Sequence, residues 1–123
     1  MMNRRAAHRL GTWGERRAAL WLRLHGWRIL GQRIKLHIGE IDLIARRGRT
    51  TAFIEVKTRS NAATLDHSID AYRLRRVAAA TNAVAHKYAH AGDDIRIDVI
   101  LIAPRRWPKH LINVWHEEAH AKK

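Results

Sequence analysis

The amino-acid sequence predicts an α/β fold in which helices flank a mixed β-sheet. Two observations lead to this prediction. Apolar residues recur at helical spacing in two long stretches, and strand-like runs of apolar residues lie between these stretches and after the second one. The predicted order is helix, three strands, helix, strand. A chain of 123 residues has room for one hydrophobic core but not for two, so we expect a single domain over residues 1–123.

The first helix is predicted over residues 12–25. Thr12 and Glu15 have the spacing of a capping box, in which both side chains accept hydrogen bonds from free amides at the start of a helix. Gly26 suits the left-handed backbone conformation that often follows a helix. Residues 1–10 are then expected to form a basic N-terminal arm.

Three strands are predicted after this helix. The first runs from Trp27 to Ile34, where large apolar residues are dense. Residues 39–46 and 51–58 form a hairpin around Gly48-Arg49, because a two-residue loop that begins with Gly favours a type II′ turn. This turn sets the register of the whole hairpin. The register opposes Ile41 to Val56, Leu43 to Ile54 and Ala45 to Ala52 on one face, and Glu40 to Lys57, Asp42 to Glu55 and Ile44 to Phe53 on the other.

The second half of the chain predicts a helix from Ile69 to Tyr88, a strand from Ile95 to Ile102 and an edge strand from Leu111 to Trp115. Residues 116–123 are expected to be a polar tail. This tail contains a formal match to the H-E-x-x-H zinc motif, but too few residues follow it to supply a third ligand.

Charge indicates the partner. The chain has 24 Lys and Arg against 11 Asp and Glu, a net charge of +13. Such a field attracts polyanions, so we expect a nucleic-acid partner.

The absence of Cys excludes disulfides and thiolate metal sites. No apolar run reaches the roughly 18 residues of a membrane span, and the N-terminus lacks the apolar stretch of a secretory signal. We therefore expect a cytoplasmic protein with no membrane partner.

Two carboxylates face each other in the predicted hairpin. Asp42 lies opposite Glu55, with Cβ atoms roughly 4.5 to 5.5 Å apart. Two negative charges at opposite positions destabilise a sheet unless a cation neutralises them, and Mg²⁺ prefers carboxylate oxygens as ligands. Lys57 follows on the same face, where its amino group could orient or deprotonate a water, or stabilise charge on a phosphate. The alternative is that Glu40 and Lys57 form a cross-strand salt bridge and that both carboxylates are simply solvated.

Several segments resemble a known family. GERRAALWLRLHGWRIL, GEIDLIARRG, FIEVKTR and the later IRIDVILI are similar to the YraN family of bacterial proteins, which is itself similar to the PD-(D/E)xK nuclease superfamily that includes archaeal Holliday junction resolvases. The resemblance covers nearly the whole chain. It implies a restriction-endonuclease-like fold with an αβββαβ core and a site for Mg²⁺ or Mn²⁺. DNA is the expected nucleic-acid partner, but the sequence leaves the choice between DNA and RNA open.

The resemblance also implies roles for single residues. Asp42 matches the aspartate of the superfamily, Glu55 and Lys57 match its E-x-K pair, and Glu15 matches the acidic residue on the first helix. The three carboxylates would then be the metal ligands, and all four residues would be catalytic. For Glu15, the capping box remains an alternative explanation.

The chain departs from the pattern at three positions. Ile41 replaces the Pro that precedes the aspartate in the superfamily, although this is usual for the YraN group. Arg33 and Arg73 stand where many relatives have Asn and Lys, respectively. The roles of these two positions are open.

Basic residues on both helices and beside the hairpin are candidates for contacts with a phosphate backbone. Of the five Trp, Trp107 is the best candidate for stacking on a base, because it lies on a loop between Arg106 and Pro108. The predicted nucleic-acid-binding residues are Arg16, Arg46, Arg47, Arg49, Arg59, Arg73 and Arg76.

The function expected from these features is a metal-dependent phosphodiesterase, an endonuclease acting on structured or branched DNA. One alternative is a non-catalytic DNA- or RNA-binding module on a nuclease-like fold. Another is an assembly protein that binds structured RNA. A homodimer would suit symmetrical cutting of a junction, and the sequence leaves the oligomeric state open.

Overall fold

The computed structural model describes residues 3–61 and 70–115. Within them lie two helices and five strands in the predicted order, and the last strand is shorter than expected. The elements are α1 (Arg4–Leu24), β1 (Arg28–Leu36), β2 (Gly39–Arg47), β3 (Thr50–Thr58), α2 (Ala71–Tyr88), β4 (Asp94–Ile102) and β5 (Lys109–Leu111).

The strands form one sheet in the order β1-β2-β3-β4-β5. Strands β3 and β4 are parallel and the other neighbours are antiparallel, so the predicted mixed sheet is confirmed. Helix α1 packs on one face and α2 on the other, each over its own apolar cluster. Neither described helix has an apolar stretch that is long enough to cross a membrane.

Helix α1 begins earlier than predicted. Asn3 caps it, because its side-chain oxygen accepts a hydrogen bond of 2.8 Å from the Ala6 amide. The capping box predicted at Thr12 and Glu15 is therefore wrong, and these residues lie inside the helix. Residues 4–10, expected to be an arm, form its first turns. The chain holds two good capping signals, and the Arg, Ala and Leu between them have high helix propensity, so the helix extends to the earlier one.

The end of α1 is as predicted. Gly26 has a φ of +87°, and its amide and that of Trp27 donate to the carbonyls of Arg23 and Leu22. This is the hydrogen-bond pattern of a Schellman motif, which needs a residue without a side chain at the left-handed position.

The hairpin register is confirmed where the two strands are paired. The ladder runs from Leu43–Ile54 to Arg47–Thr50, and Gly48 has the positive φ, +60°, that a type II′ turn requires at its first central residue. The ladder ends at Leu43, so the predicted pairs beyond it are not formed as regular strand pairs.

The second helix and the last strand differ from the prediction in detail. Asp70 caps α2 by accepting hydrogen bonds from the amides of Tyr72 and Arg73. The predicted start at Ile69 lies outside the described residues, as does the predicted tail, 116–123. The predicted edge strand over 111–115 is wrong in its bounds, because β5 ends at Leu111.

A buried carboxylate explains why β5 ends there. Asp98 on β4 is fully buried and accepts a hydrogen bond of 2.9 Å from the Asn113 amide, which draws the chain out of the ladder. It also accepts two hydrogen bonds from Arg96 and lies 2.7 Å from His110 Nε2. Burial opposes the ionised form, but the hydrogen bonds from His110, Arg96 and Asn113 outweigh it and lower the pKa of Asp98.

Asp98→Asn should therefore lower the free energy of unfolding by about 3 kcal/mol at neutral pH, because it leaves Arg96 without its buried partner. Urea unfolding measures this, with Asp94→Asn on the exposed start of the same strand as the control. Since the pKa is lower in the folded state, the contribution of Asp98 is present above about pH 4 and is lost as the pH falls through the folded-state pKa. Equal stability of both variants at neutral pH would contradict this role.

Candidate active site

The candidate site lies at the end of the sheet where β2 and β3 separate. Beyond Leu43 the two strands are no longer paired, and Asp42 Oδ2 accepts a hydrogen bond of 2.7 Å from the Val56 amide. The carboxylate thus satisfies a main-chain donor of β3 that the ladder leaves free. This contact fixes the position of the Asp42 side chain beside β3.

Strand β1 is irregular at the same level. The pairs Gln32–Leu43 and Ile34–Ile41 flank one unpaired position on each strand. On β1 that residue is Arg33, whose φ of +54° is uncommon for a residue with a side chain. Ile41 packs in the cluster under α2, so the prediction that it shares a face with Leu43 is wrong. The side chains of β2 do not alternate between the two faces of the sheet from Ile41 to Leu43, because β2 is not regularly pleated between these two residues.

Asp42 and Glu55 lie close enough to affect each other's protonation. Burial, and then the negative charge of Asp42, raise the pKa of Glu55 to about 7. Burial also raises the pKa of Asp42, against the opposing effect of the Val56 amide. Near neutral pH the pair therefore holds a proton for part of the time. Glu55 Oε1 is buried and has no hydrogen-bond partner among the described residues.

Arginines from α2 compensate two of the acidic side chains. Arg73 Nη2 lies 2.8 Å from Glu55 Oε2, and the Arg73 side chain is 49% exposed. One turn later, Arg76 donates two hydrogen bonds of 3.0 and 3.2 Å to Glu40, which lowers the pKa of that carboxyl. Glu40 therefore has a strong partner in Arg76, which the sequence analysis did not propose.

Glu15 on α1 reaches the same region. Its Oε1 lies 2.7 Å from Arg33 Nε, and its charge contributes to the raised pKa of Asp42. Arg33 also donates a hydrogen bond of 3.3 Å to Thr12. Glu15 and Thr12 thus interact with β1 through Arg33 and do not cap the helix.

Two neighbouring cavities open at this end of the sheet. The larger, of about 600 Å³, is lined by Glu55, Lys57 and Arg59 among others, and residues from the first turns of α1 form part of its wall. The smaller, of about 480 Å³, is lined by Glu15, Glu40 and Asp42 among others. Arg73 lines both cavities. The earlier start of α1 therefore helps to shape the site.

The side chains of the site can supply some of the ligands of a divalent metal ion. Within residues 3–61 and 70–115, no group of three or more His, Cys, Asp or Glu is arranged to hold a metal ion. Asp42 and Glu55 nevertheless offer two adjacent carboxylates, and one buried oxygen of Glu55 has no partner among these described residues. Mg²⁺ commonly takes one or two carboxylates and keeps several waters, so this pair fits it. Glu15 is not gathered with the pair into one group, and its role as a ligand stays a prediction.

The structure groups some of the predicted DNA-contacting arginines and separates others. Arg59, Arg73 and Arg76 line the two cavities. Arg16 lies on the exposed side of α1, and Arg49 is exposed at the hairpin turn. Their role in binding nucleic acid stays a prediction.

Arg46 and Arg47 lie at the far end of the hairpin, about 15 Å along β2 from Asp42. Arg46 makes two hydrogen bonds, of 2.8 and 2.9 Å, to Asp93. Arg47 donates to the His25 carbonyl and covers the Trp27 ring. Both side chains connect parts of the fold, and the structure does not bring them to the carboxylates.

Two features of the sequence fit the pairing of Arg76 with Glu40 in retrospect, although neither identifies the pair. Arg76 follows Arg73 by three residues, which places both on one side of a helix. Gly39 precedes Glu40, and a Cβ atom at this position would overlap the main-chain carbonyl of Arg76. The close approach of α2 to β2 therefore requires a glycine beside the acidic residue.

The order of elements and the mixed sheet define a restriction-endonuclease-like fold. The chain is similar in structure to Hjc, a Holliday junction resolvase from the archaeal hyperthermophile Archaeoglobus fulgidus. The TM-score is 0.57 at 20% sequence identity, over 80% of this chain and 72% of that chain. At this identity the likeness shows the fold.

Sequence comparison shows the family. Residues 14–102 match the family model described as Uncharacterised protein family UPF0102. The chain is 64% identical over 114 residues to a UPF0102 protein of Sphingopyxis alaskensis, covering 93% of this chain and 98% of that protein. It is 63% identical over 116 residues to one of Rhizorhabdus wittichii, covering 94% and 98%. The chain belongs to the UPF0102 family, which confirms the resemblance to the YraN family.

Glu55→Gln should stabilise the metal-free protein by about 1 kcal/mol at about pH 8, because ionised Glu55 is disfavoured by burial and by Asp42. Thermal or urea unfolding in a chelator measures this. Glu40→Gln is the matched control, and it should lower stability because Arg76 favours the ionised form of Glu40. A loss of stability in both variants would show that Glu55 is an ordinary structural partner of Arg73.

Proposed function

We propose that this protein is a metal-dependent endonuclease that hydrolyses phosphodiester bonds in structured or branched DNA. The observation that carries the proposal is the adjacent pair of carboxylates, half-buried Asp42 and buried Glu55. The charge of Asp42 raises the pKa of Glu55, and Glu55 Oε1 has no hydrogen-bond partner within residues 3–61 and 70–115. Two like charges with little access to water are costly, so the presence of this pair between the two cavities favours a catalytic role over a structural one. The net charge of +13 supports a polyanionic substrate.

Asp42 and Glu55 would hold Mg²⁺ or Mn²⁺, with Glu15 as the proposed third carboxylate. The metal, when bound, polarises the scissile phosphate and lowers the pKa of a water. The Val56 amide keeps Asp42 in place through its hydrogen bond. Lys57 lines the same cavity as Glu55, so we propose that its ammonium orients the attacking water or stabilises charge on the phosphate.

Arginine charges around the cavities would bind the DNA backbone. Arg59, Arg73 and Arg76 line the cavities, and Arg73 is half exposed. We propose that Arg73 neutralises Glu55 in the metal-free protein and contacts a substrate phosphate when metal takes over that task. The remaining predicted contacts, on α1 and beside the hairpin turn, are Arg16, Arg46, Arg47 and Arg49.

The likeness to a Holliday junction resolvase supports branched DNA as the substrate class. A two-fold dimer would present two such sites to a junction, and we include it in the proposal. A cytoplasmic location stays a prediction from the sequence.

Asp42→Asn should reduce cleavage by roughly 100-fold or more, because it removes one of the three proposed carboxylate ligands of the metal while keeping the side-chain shape. The measurement is Mg²⁺- or Mn²⁺-dependent scission of labelled linear, flapped and four-way-junction DNA. Lys57→Ala should also lose cleavage and keep most of its DNA binding. Asp94→Asn, with the same charge change at the other end of the sheet, is the control. Unchanged cleavage by Asp42→Asn would refute the assignment.

A second candidate function is a non-catalytic nucleic-acid-binding module. The ion pair between Arg73 and Glu55 favours it, because the guanidinium already supplies a cation to the carboxylate pair. This function predicts binding that weakens steeply with salt, and no metal-dependent scission on any substrate. Competition between RNA and DNA at fixed salt would separate a protein that binds structured RNA from both.

A further inference from the structure

The loop between β4 and β5 carries the most exposed large apolar side chain of the described residues. Trp107 is 89% exposed, and Arg105 and Arg106 beside it are also exposed. We call residues 104–108 the Trp107 loop. An exposed indole with arginines on its N-terminal side provides a flat apolar surface and two positive charges within one turn of chain.

The Trp107 loop has a defined shape. Pro104 and Pro108 restrict the backbone at its two ends, and Arg105 has a φ of +63°. The preceding Ala103 is buried, and the following Lys109 pairs with Leu101 in the β4–β5 ladder. Because the loop is anchored on both sides, little backbone freedom remains to be lost when Trp107 binds a partner.

The loop lies at the same end of the sheet as the carboxylate site. Strands β3 and β4 are parallel, with Glu55 opposite Val99 and Thr58 opposite Ile102. The amide of Arg59 donates a hydrogen bond of 3.0 Å to the Ile102 carbonyl, just before the loop begins. The step along β3 from Glu55 to Thr58 is about 10 Å. A strand of DNA that passes the carboxylates can therefore continue to the loop within a few nucleotides.

Positively charged residues also lie between the carboxylate site and the Trp107 loop. Lys57 on β3 and Lys109 on β5 flank Leu101 on β4, in one row across the sheet. Arg59 is exposed at the end of β3 and lines the larger cavity. This charge favours a phosphate-bearing partner for Trp107 over an apolar protein surface.

We propose that the Trp107 loop is a docking surface for an unpaired stretch of the DNA substrate, in which Trp107 stacks on one nucleobase while Arg105 and Arg106 contact the adjoining phosphates. A base in a duplex has both faces covered by its neighbours, whereas an unpaired base offers a free face to an aromatic ring. The loop would thus direct the carboxylate site to DNA with a single-stranded segment. This inference rests on the proposed function and specifies its substrate.

The test is DNA binding in the presence of a chelator, measured by fluorescence anisotropy. The probes are a labelled thymidine oligonucleotide of about 20 nucleotides and a duplex of equal length. Trp107→Ala should weaken binding of the single strand by roughly 5- to 100-fold and leave duplex binding within about 2-fold. Trp107→Phe should retain most of the affinity, because it keeps an aromatic face.

Ile95→Ala is the control, because Ile95 is half exposed at the opposite end of β4. It should bind both probes like the wild type. The single strand should also quench the tryptophan fluorescence of the wild type more than that of Trp107→Ala, which reports contact with the indole itself.

Unchanged single-strand binding by Trp107→Ala, or an equal loss on both probes, would overturn the proposal. Tighter binding of an RNA strand, with Trp107→Ala weakening RNA alone, would replace DNA by RNA as the partner. Because no metal is present, a protein without nuclease activity would still give the expected binding result. Conversely, cleavage that depends on Asp42 but not on Trp107 would refute this inference and leave the proposed function intact.

Discussion

The hydrogen bond from the Val56 amide to Asp42 is the contact on which the arrangement of the site depends. It is formed where the β2–β3 ladder stops, and it holds a carboxylate against β3 directly beside Glu55. Because Glu55 is buried and half-buried Asp42 lies beside it, compensating charge is needed from other elements, and Arg73 on α2 supplies it to Glu55. The same need recurs around them, because Arg33 pairs with Glu15 and Arg76 with Glu40. The ion pairs around the two carboxylates thus connect both helices to the sheet.

Two buried carboxylates in the chain show how environment separates structure from function. Asp98 forms hydrogen bonds with Arg96, His110 and the Asn113 amide, and these contacts lower its pKa. Glu55 is buried beside a negatively charged neighbour, one of its oxygens has no hydrogen-bond partner in the part of the chain that the structure describes, and its pKa is raised to about 7. The first stabilises the fold and anchors β5. The second costs stability, and proteins tend to retain such groups where they bind a ligand or catalyse a reaction.

The parallel pairing of β3 and β4 brings separate functional features to one end of the sheet. It places the carboxylates, the cavity with Lys57 and Arg59, and the beginning of the Trp107 loop along the same edge. The UPF0102 family model covers residues 14–102, which includes the carboxylates and ends just before the loop. This core can therefore hold the proposed chemistry, and the loop that we propose as a docking surface follows it directly in the chain.

The sequence by itself determined the order of the elements, the hairpin register and the left-handed Gly26, because these depend on periodicity and on hydrogen bonds between residues that are near in the chain. It could also place Asp42 and Glu55 at neighbouring positions, since the turn at Gly48 sets that register. It could not decide between Asn3 and Thr12 as the cap of α1, where two local signals compete. The partners Arg33–Glu15 and Arg76–Glu40, the orientation of Ile41 and the end of β5 at Asp98 were decided by the tertiary structure alone. Each of them depends on how helices and loops that are distant in sequence pack against the sheet. Local sequence preferences do not encode these long-range contacts or the charges that they compensate.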